Sequence, residues 1–181
     1  MKVLYLSEGF TPHDKRFVSA ILESNVELYY SAMKEFTLIP DSFWKNDKIS
    51  RLEISKDLNL LEGKINEHGI DLIHINPINE FTLKLMSRKL RPQVVMSWGS
   101  DILIKSKYIS NELLSHGLSK ADGFFTDCHV VTQNIKKYLT SEIAFEEFPW
   151  GIEPEQYLMN TNIKEGKKIR TSLRWQKSNV I

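Results

Sequence analysis

The stretch VVMSWGSDIL at 94–103 holds the residue types best suited to bind a polar ring. An apolar run ends there, Trp98 and Gly99 follow it, and Ser100 and Asp101 are side chains that often cap a helix. An indole packs against the CH face of a carbohydrate ring, while a carboxylate accepts hydrogen bonds from its hydroxyls. The segment predicts either a carbohydrate-binding loop or a helix cap that follows a packed tryptophan.

A second polar stretch is SEGFTPHD at 7–14. It contains one glycine, Gly9, and has neither the G-x-G-x-x-G pattern nor the Walker pattern of phosphate-binding loops. His13 beside Asp14 has the chemistry of an acid or base, although a polar residue before a helix is more often a cap or a solvated side chain. The stretch favours a loop shaped by Gly9, with His13 as a candidate ligand, over a classical phosphate cradle.

A third stretch, HINPINE at 74–80, places His74 inside an apolar strand pattern. Strand alternation puts His74 and Asn76 on one face, and a histidine in a parallel strand is more often a hydrogen-bonded core residue than a ligand. Asn76 and Asn79 are suited to bind sugar hydroxyls, but asparagine near proline is also ordinary turn chemistry. Asn76 is therefore a candidate site residue, and His74 a predicted core residue.

The turn FPWGIEPEQY at 148–157 follows the last clear apolar run. Pro149 and Gly151 are turn-forming residues, and they bracket an aromatic side chain, Trp150. The acid Glu153 comes two residues after the glycine. This composition predicts a tight polar turn that presents Trp150 and Glu153.

Composition argues against several classes of partner. Lys and Arg total 24 against 23 Asp and Glu, so no nucleic-acid footprint is expected. The five histidines are scattered and Cys128, the one cysteine, has no partner motif, so no metal site or bound cofactor is predicted. Cys128 is expected to be a small packing residue at a strand end. With no apolar run of about 18 residues, the sequence suggests a cytoplasmic protein with at most a peripheral contact to the inner membrane surface.

Strand and helix patterns alternate along the chain and predict an α/β fold with a Rossmann-like, doubly wound parallel sheet. Strands are predicted at 2–7, 25–30, 70–76, 92–98, 122–128 and 143–150, and helices at 15–24, 58–69, 78–90, 109–121 and 130–139. Asp14 is the expected cap of the first helix and Gly69 the stop of the second. The pattern between 31 and 55 is weaker, with a possible strand at 36–40 and a loop at 41–47. Ligands bind beyond the carboxyl ends of parallel strands, which selects the loops 8–14, 74–80, 97–101, 127–129 and 149–153.

Three patterns in a fixed order carry a family resemblance. VVMSWGSDIL, then ADGFFTDCHVV at 121–131, then FPWGIEPEQY follow a repeat that begins KVLYLSEGFTPHDKRF. Together they resemble the amino-terminal half of glycosyltransferase family four, the retaining nucleotide-sugar transferases of GT-B fold. The resemblance covers residues 1–160 and rests on the combination and order of the patterns.

The resemblance implies one half of a GT-B architecture, in which two Rossmann-like domains face each other across a cleft. Residues 1–160 would be the acceptor-side domain, and 161–181 the interdomain linker and the start of a truncated second domain. The catalytic residues are expected in the second domain, which would bind a nucleotide-diphosphate sugar as co-substrate. The full-length enzyme would be a hexosyltransferase-like enzyme of polysaccharide biosynthesis that glycosylates a saccharide or lipid-linked acceptor, and this chain alone would be inactive.

The motifs depart from the family at three places, one of which is Gly9, which matches a position usually found in a richer glycine loop. Trp98 stands where the family commonly has a histidine, and Trp150 and Glu153 replace the usual asparagine and aspartate of the closing turn. The resemblance assigns these residues to the acceptor cleft or its interdomain edge: Gly9, Trp98, Gly99, Ser100, Asp101, Trp150, Gly151 and Glu153.

The sequence leaves two other functions open. One is a stand-alone binding module, or a split-transferase subunit that needs a separate donor-domain partner. The other is a generic doubly wound nucleotide-binding protein, which the missing glycine fingerprint disfavours.

Overall fold

The computed structural model describes residues 1–33, 41–53 and 57–147. The elements are β1 Lys2–Ser7, α1 Pro12–Glu23, β2 Glu27–Ala32, α2 Asp41–Trp44, β3 Ile49–Arg51, α3 Leu58–Glu67, β4 Leu72–Ile75, α4 Glu80–Arg88, β5 Gln93–Ser97, α5 Ser100–Leu103, a 3-10 turn Lys105–Tyr108, α6 Asn111–Leu118, β6 Gly123–Thr126, α7 His129–Lys136 and β7 Ala144–Glu147. Among the helices of these ranges, none has the length and apolar character needed to cross a membrane.

The seven strands form one sheet in the order β3-β2-β1-β4-β5-β6-β7, and every neighbouring pair is parallel. The chain winds outward from β1 to β3 and then returns to β4, on the other side of β1. This reversal makes the boundary between β1 and β4 the topological switch point, where open α/β sheets form their ligand crevice. The predicted doubly wound parallel sheet is confirmed.

The two faces of the sheet differ in chemistry because side chains alternate along each strand. On one face, Leu4 and Leu6 of β1 and Ile73 and Ile75 of β4 are fully buried in the main apolar cluster. Burial of each such side chain stabilises the fold by about 1.5–3 kcal/mol. The opposite face of β1 carries Val3, Tyr5 and Ser7, so the polar groups on this face lie toward the carboxyl end of the strand.

The first helix begins earlier than predicted. Thr11 is its N-cap, with φ −122° and ψ 165°, and its hydroxyl accepts a hydrogen bond from the Asp14 N–H. The carboxylate of Asp14 in turn accepts from the Thr11 N–H, which completes a capping box. Asp14 was expected to be the cap, but it already has helical backbone, so Thr11 takes that position.

The weak segment between 31 and 55 contains two elements that the sequence pattern did not predict. The expected loop at 41–47 includes the one-turn helix α2, and β3 follows with three residues, of which Ile49 is buried. Elements this short show no periodicity, which explains the miss. Gly69, with φ +63°, ends α3 as predicted, and the possible strand at 36–40 lies outside the described residues.

Candidate functional site

The carboxyl ends of β1, β4 and β5 bring three of the predicted loops together, at 8–14, 74–80 and 97–101. Two buried aspartates, Asp14 and Asp101, hold these loops in place, and each is only 1% exposed.

Asp14 binds the loop after β1 to the end of β4. Its Oδ1 lies 2.7 Å from the Ser7 hydroxyl, accepts a hydrogen bond from the Tyr5 hydroxyl at 3.2 Å, and accepts another from the Asn76 amide at 3.4 Å. Its Oδ2 accepts from the Thr11 N–H at 2.8 Å and from the Thr11 hydroxyl. One carboxylate therefore orders the first turn of α1 and joins it to two strands.

Gly9 is held by the same network. The Ser7 hydroxyl lies 2.8 Å from the Gly9 carbonyl oxygen as well as 2.7 Å from Asp14, and it accepts a hydrogen bond from the Gly9 N–H at 3.3 Å. A hydroxyl has one proton, so it donates to one of these two acceptors at a time. The loop around Gly9 is a short turn closed onto Ser7.

Asp101 binds the loop after β5 to the loop after β4. Its Oδ1 accepts hydrogen bonds from the Ser97 hydroxyl at 2.7 Å and from the Ile102 N–H at 3.0 Å, and its Oδ2 accepts from the Ile78 N–H at 3.0 Å. Burial raises the pKa of the Asp101 carboxyl above its usual range, and these three hydrogen bonds oppose that effect. Asp101 was expected to cap the helix, but α5 has Gly99 at its N-cap without a side-chain cap.

Gly99 is required by the backbone and by its neighbours. Its φ of +82° lies in the region that favours glycine. A Cβ atom there would lie 3.2 Å from Cγ2 of Val131 in α7 and 3.9 Å from Oδ1 of Asp127. The glycine thus permits the close approach of the β5 and β6 loops.

His13 and Trp98 form the open part of this edge. Their ring centroids are 4.9 Å apart with an angle of 48° between the planes, and the Phe17 ring meets Trp98 edge-on at 5.9 Å. His13 is exposed and Trp98 is half-buried, while Ser100, at the start of α5, is exposed. Part of the ring surface of this pair is therefore accessible to solvent.

His74 is buried in the core, as predicted, but it is not fully hydrogen-bonded. Its ring lies 4.7 Å from that of Tyr5, and within the described ranges its Nε2 has no hydrogen-bond partner. Burial lowers the pKa of His74 to about 4, so the imidazole is neutral at pH 7. The sequence showed its position in the strand but not the aromatic surroundings that leave the nitrogen unpaired.

Two tyrosines of this face were not predicted as part of the site. The rings of Tyr5 and Tyr30 stack at 5.7 Å, and burial raises the pKa of both hydroxyls above the usual value, with the charge of Asp14 as a second cause. Both remain protonated donors at neutral pH. The signal for Tyr5 was present in KVLYLS, where alternation puts it on the same face as Ser7.

The structure brings together most of the predicted residues. Gly9, His13, Asn76, Trp98, Gly99, Ser100 and Asp101 all lie on the loops at this edge or at the strand end beneath them. Trp150, Gly151 and Glu153 lie outside the described residues.

Cys128 was expected to pack at a strand end, but it is exposed, because it precedes α7 as its N-cap residue. In the part of the chain that is described, no three His, Cys, Asp or Glu side chains are grouped to hold a metal ion.

The fold and this edge define a doubly wound α/β protein with a candidate binding site at the switch point of its sheet. No protein-family model matches the chain, and no curated protein matches it significantly. Comparison with solved structures gives the fold relationship.

Three solved proteins superpose on the chain at low sequence identity. Sucrose-phosphate synthase from Thermosynechococcus elongatus has a TM-score of 0.59 at 11% identity, covering 96% of this chain and 99% of that chain. HepE from Anabaena, solved with UDP and with UDP-glucose, has a TM-score of 0.60 at 16% identity, covering 96% of this chain and 50% of that chain. WbmH from Bordetella bronchiseptica, in complex with NAD+, has a TM-score of 0.51 at 9% identity, covering 84% of this chain and 76% of that chain. The chain shares its Rossmann-like α/β fold with these proteins and spans half the length of HepE.

Proposed function

We propose that residues 1–160 are the acceptor-side domain of a GT-B glycosyltransferase of family four that uses a nucleotide-sugar donor. The observation that carries the proposal is the partly exposed His13–Trp98 pair at the switch point of the sheet. An aromatic face beside polar groups is a common way to hold a carbohydrate ring. The proposal is supported by the fold that the chain shares with a sucrose-phosphate synthase and with HepE. The two HepE structures hold UDP and UDP-glucose.

The residues at the edge take two different roles in this proposal. The acceptor ring packs on Trp98, while His13 and the exposed Ser100 hydroxyl bond to its hydroxyl groups. Asn76 and Asp101 are buried and act by positioning the loops. Their predicted role as direct ligands is therefore the less favoured one.

The complete reaction needs groups that we assign to a second domain, in cis or in trans. We propose that residues 161–181 lead into that domain and that Trp150, Gly151 and Glu153 face the cleft at its edge. Sugar transfer depends on positioning both substrates and on stabilising the leaving diphosphate. The acceptor is a saccharide or a lipid-linked saccharide, and the residues described here supply its orientation.

Saccharide binding to this chain tests the proposal. Saturation-transfer NMR with neutral methyl glycosides is expected to show contact with the aromatic pair, and Trp98→Ala is expected to weaken binding at least about tenfold because the stacking surface is lost. Tyr108→Ala is the matched control, since Tyr108 is an 89% exposed aromatic outside the site. Binding that survives Trp98→Ala unchanged would remove the basis of the proposal.

Activity assays test separately the proposal that this chain is one half of a two-domain enzyme and is inactive alone. The chain alone is expected to give no multiple-turnover transfer from UDP-glucose, and addition of a donor-binding domain is expected to restore transfer. Turnover by the chain alone would contradict the half-domain assignment. Because one fold neighbour holds NAD+, an NAD+ titration is the companion test, and micromolar binding would favour the generic nucleotide-binding alternative.

A further inference from the structure

A short helical segment follows the Trp98 loop and is anchored to the core along one side. The helix α5 leads, one residue after its end, into the 3-10 turn Lys105–Tyr108. On the inner side of the segment, Ile102 is 3% exposed, and the buried Ser106 donates its hydroxyl to the Ile102 carbonyl oxygen. The side of the segment that faces outward is therefore fixed by contacts with the rest of the protein.

The outward side of this segment is apolar. Leu103 is 36% exposed, Ile104 58% and Tyr108 89%. Lys107 is also exposed, and its N–H donates to the Ile104 carbonyl oxygen at 3.3 Å, which places the two side chains on one side of the 3-10 turn. We call these four residues the 103–108 surface. A helical surface that faces water normally carries polar side chains, so this one is suited to a different environment.

Clustering sets these apolar side chains apart from other exposed ones. Within the described ranges, Met1 at the start of the chain and Leu60 in α3 are exposed singly, which is ordinary on a protein surface. The 103–108 surface has three exposed apolar side chains within six consecutive residues. Exposed apolar side chains that lie together mark a site of interaction with another molecule.

The start of α7 adds a further apolar side chain beside α5. A Cβ atom at Gly99 would lie 3.8 Å from Leu103 and 3.2 Å from Val131, so α5 and α7 meet at this point. The residue before Val131, Val130, is 59% exposed. Apolar exposure at this edge of the sheet therefore comes from two neighbouring helices.

The charge on the outer side of the segment is positive. Lys107 is exposed on the 103–108 surface, and Lys105 adds a second positive charge to the same turn. Asp101 is only 1% exposed, and its oxygens accept three hydrogen bonds from the surrounding loops. Its carboxylate is therefore directed into the protein and not toward a partner.

Acids on the neighbouring elements are bonded, partly buried or placed after the turn. The Glu147 carboxylate lies 3.3 Å from Nδ1 of His129. Asp127 has one carboxylate oxygen buried. Glu112 lies in the first turn of α6, after the chain has left the 3-10 turn. Lys107 therefore sets the sign of the charge on the 103–108 surface itself.

These side chains match a lipid surface better than a protein partner. Leucine and isoleucine enter the boundary of the acyl chains, tyrosine lies at the level of the headgroups, and lysine buries its stem while its ammonium group contacts anionic lipids. A standard protein interface takes about 20–30 residues a side, many more than the apolar residues gathered here.

We infer that the 103–108 surface docks on a lipid bilayer that contains anionic headgroups. Docking at this surface places the Trp98 loop, which leads into α5, close to the membrane. It does not depend on which sugar is bound or transferred, so it goes beyond the proposed function.

Vesicle flotation with the full chain tests the docking. The chain is expected to float with phosphatidylcholine vesicles that contain about 30% phosphatidylglycerol, and the double variant Ile104→Gln, Tyr108→Gln is expected to bind at least about tenfold more weakly. Leu60→Gln is the matched control, since Leu60 is 59% exposed, as Ile104 is 58% exposed, but lies in α3. All three side chains are exposed, so circular dichroism is expected to show folded variants.

A lysine pair tests the electrostatic part. Lys107→Gln is expected to weaken binding to the anionic vesicles about fivefold, and Lys45→Gln, an exposed lysine after α2, is expected to leave it unchanged. Binding is also expected to weaken at about 500 mM salt, because screening reduces the attraction.

Two results would overturn the inference. One is the absence of binding to the anionic vesicles, and self-association that the double variant abolishes would then show that the surface contacts protein. The other is binding that the double variant leaves intact or that Leu60→Gln weakens equally. Neither result bears on saccharide binding at Trp98, which is measured without lipid, so the proposed function stands or fails separately.

Discussion

The ring centroid of His13 lies 4.9 Å from that of Trp98, which joins the first turn of α1 to the loop after β5. The strand β4 separates β1 from β5, so this contact crosses the crevice at the switch point. Phe17 supports Trp98 from the next turn of α1. The aromatic surface is therefore a tertiary feature that depends on the winding of the sheet, and the loops that carry it are held by hydrogen bonds to Asp14 and Asp101.

Replacing His13 separates its binding role from its structural role. Because the side chain is exposed, His13→Ala is expected to change the free energy of unfolding by less than about 0.5 kcal/mol. Saccharide affinity is expected to fall about fivefold, since the ring nitrogen and part of the stacking surface are lost. Urea unfolding and an NMR titration measure the two effects. His13→Phe keeps an aromatic ring, so it should recover only the part of the saccharide affinity that comes from stacking. Wild-type affinity in His13→Ala would contradict the binding role of His13.

Asp14→Ala is expected to destabilise the fold by about 3 kcal/mol, because buried donors on Tyr5, Ser7 and Asn76 lose their acceptor together with the capping box. Ser110→Ala, which removes the exposed cap of α6, is the control for the loss of a cap alone. It is expected to cost about 1 kcal/mol. Urea unfolding of both variants provides the measurement. A cost no greater than that of the control would show that the network adds nothing.

A paired glycine experiment tests the conformation of the β5 loop. Gly99→Ala is expected to destabilise the protein by about 2 kcal/mol, since φ is +82° and the new Cβ would lie 3.2 Å from Val131. Gly63→Ala is the control, because Gly63 lies inside α3 with no atom within 4 Å of a new Cβ. That change is expected to stabilise by about 0.5–1 kcal/mol. Unfolding temperatures that shift in the same direction for both variants would contradict the positive-φ conformation assigned to Gly99.

The sequence predicted the sheet well because its signals are local. Apolar runs such as KVLYLS identify strands, and Gly69 marks the end of α3 through its own backbone preference. The three-residue strand β3 was missed because it is too short to show a pattern. Local pattern therefore predicted the strands and the loops at their carboxyl ends.

The chemistry of the site depends on contacts between distant parts of the chain. Asp14 looked like a solvated cap, yet it is 1% exposed and accepts hydrogen bonds from Tyr5 in β1 and from Asn76, which follows β4 directly. Asp101 looked like a sugar ligand, yet its oxygens are used by Ser97, Ile78 and Ile102. Local residue spacing does not show which loops are in contact. The sequence therefore identified these residues as candidates but did not show their roles.

His74 is expected to make stability depend on pH between about 4 and 6.5. Burial lowers the pKa of the folded-state imidazole to about 4, against a model-peptide value of 6.5, so in this window the unfolded chain binds a proton that the folded chain does not. Stability is therefore full above pH 6.5 and falls as pH decreases through the window, by about 3 kcal/mol in total. Asp101 acts with the opposite sign, since its folded-state pKa is raised and acid favours the folded form.

The comparison of wild type with His74→Leu isolates this contribution, because the variant keeps Asp101 and fills a similar volume next to Tyr5. Urea unfolding at half-unit steps from pH 4 to 7.5 is expected to show a steeper loss of stability on acidification in the wild type than in the variant. The difference between the two curves should be confined to the window below pH 6.5, since above it His74 is neutral in both the folded and the unfolded chain. Parallel curves across the whole range would mean that the folded protein accepts a proton on His74 without penalty, and the imidazole would then have a hydrogen-bonding route to solvent.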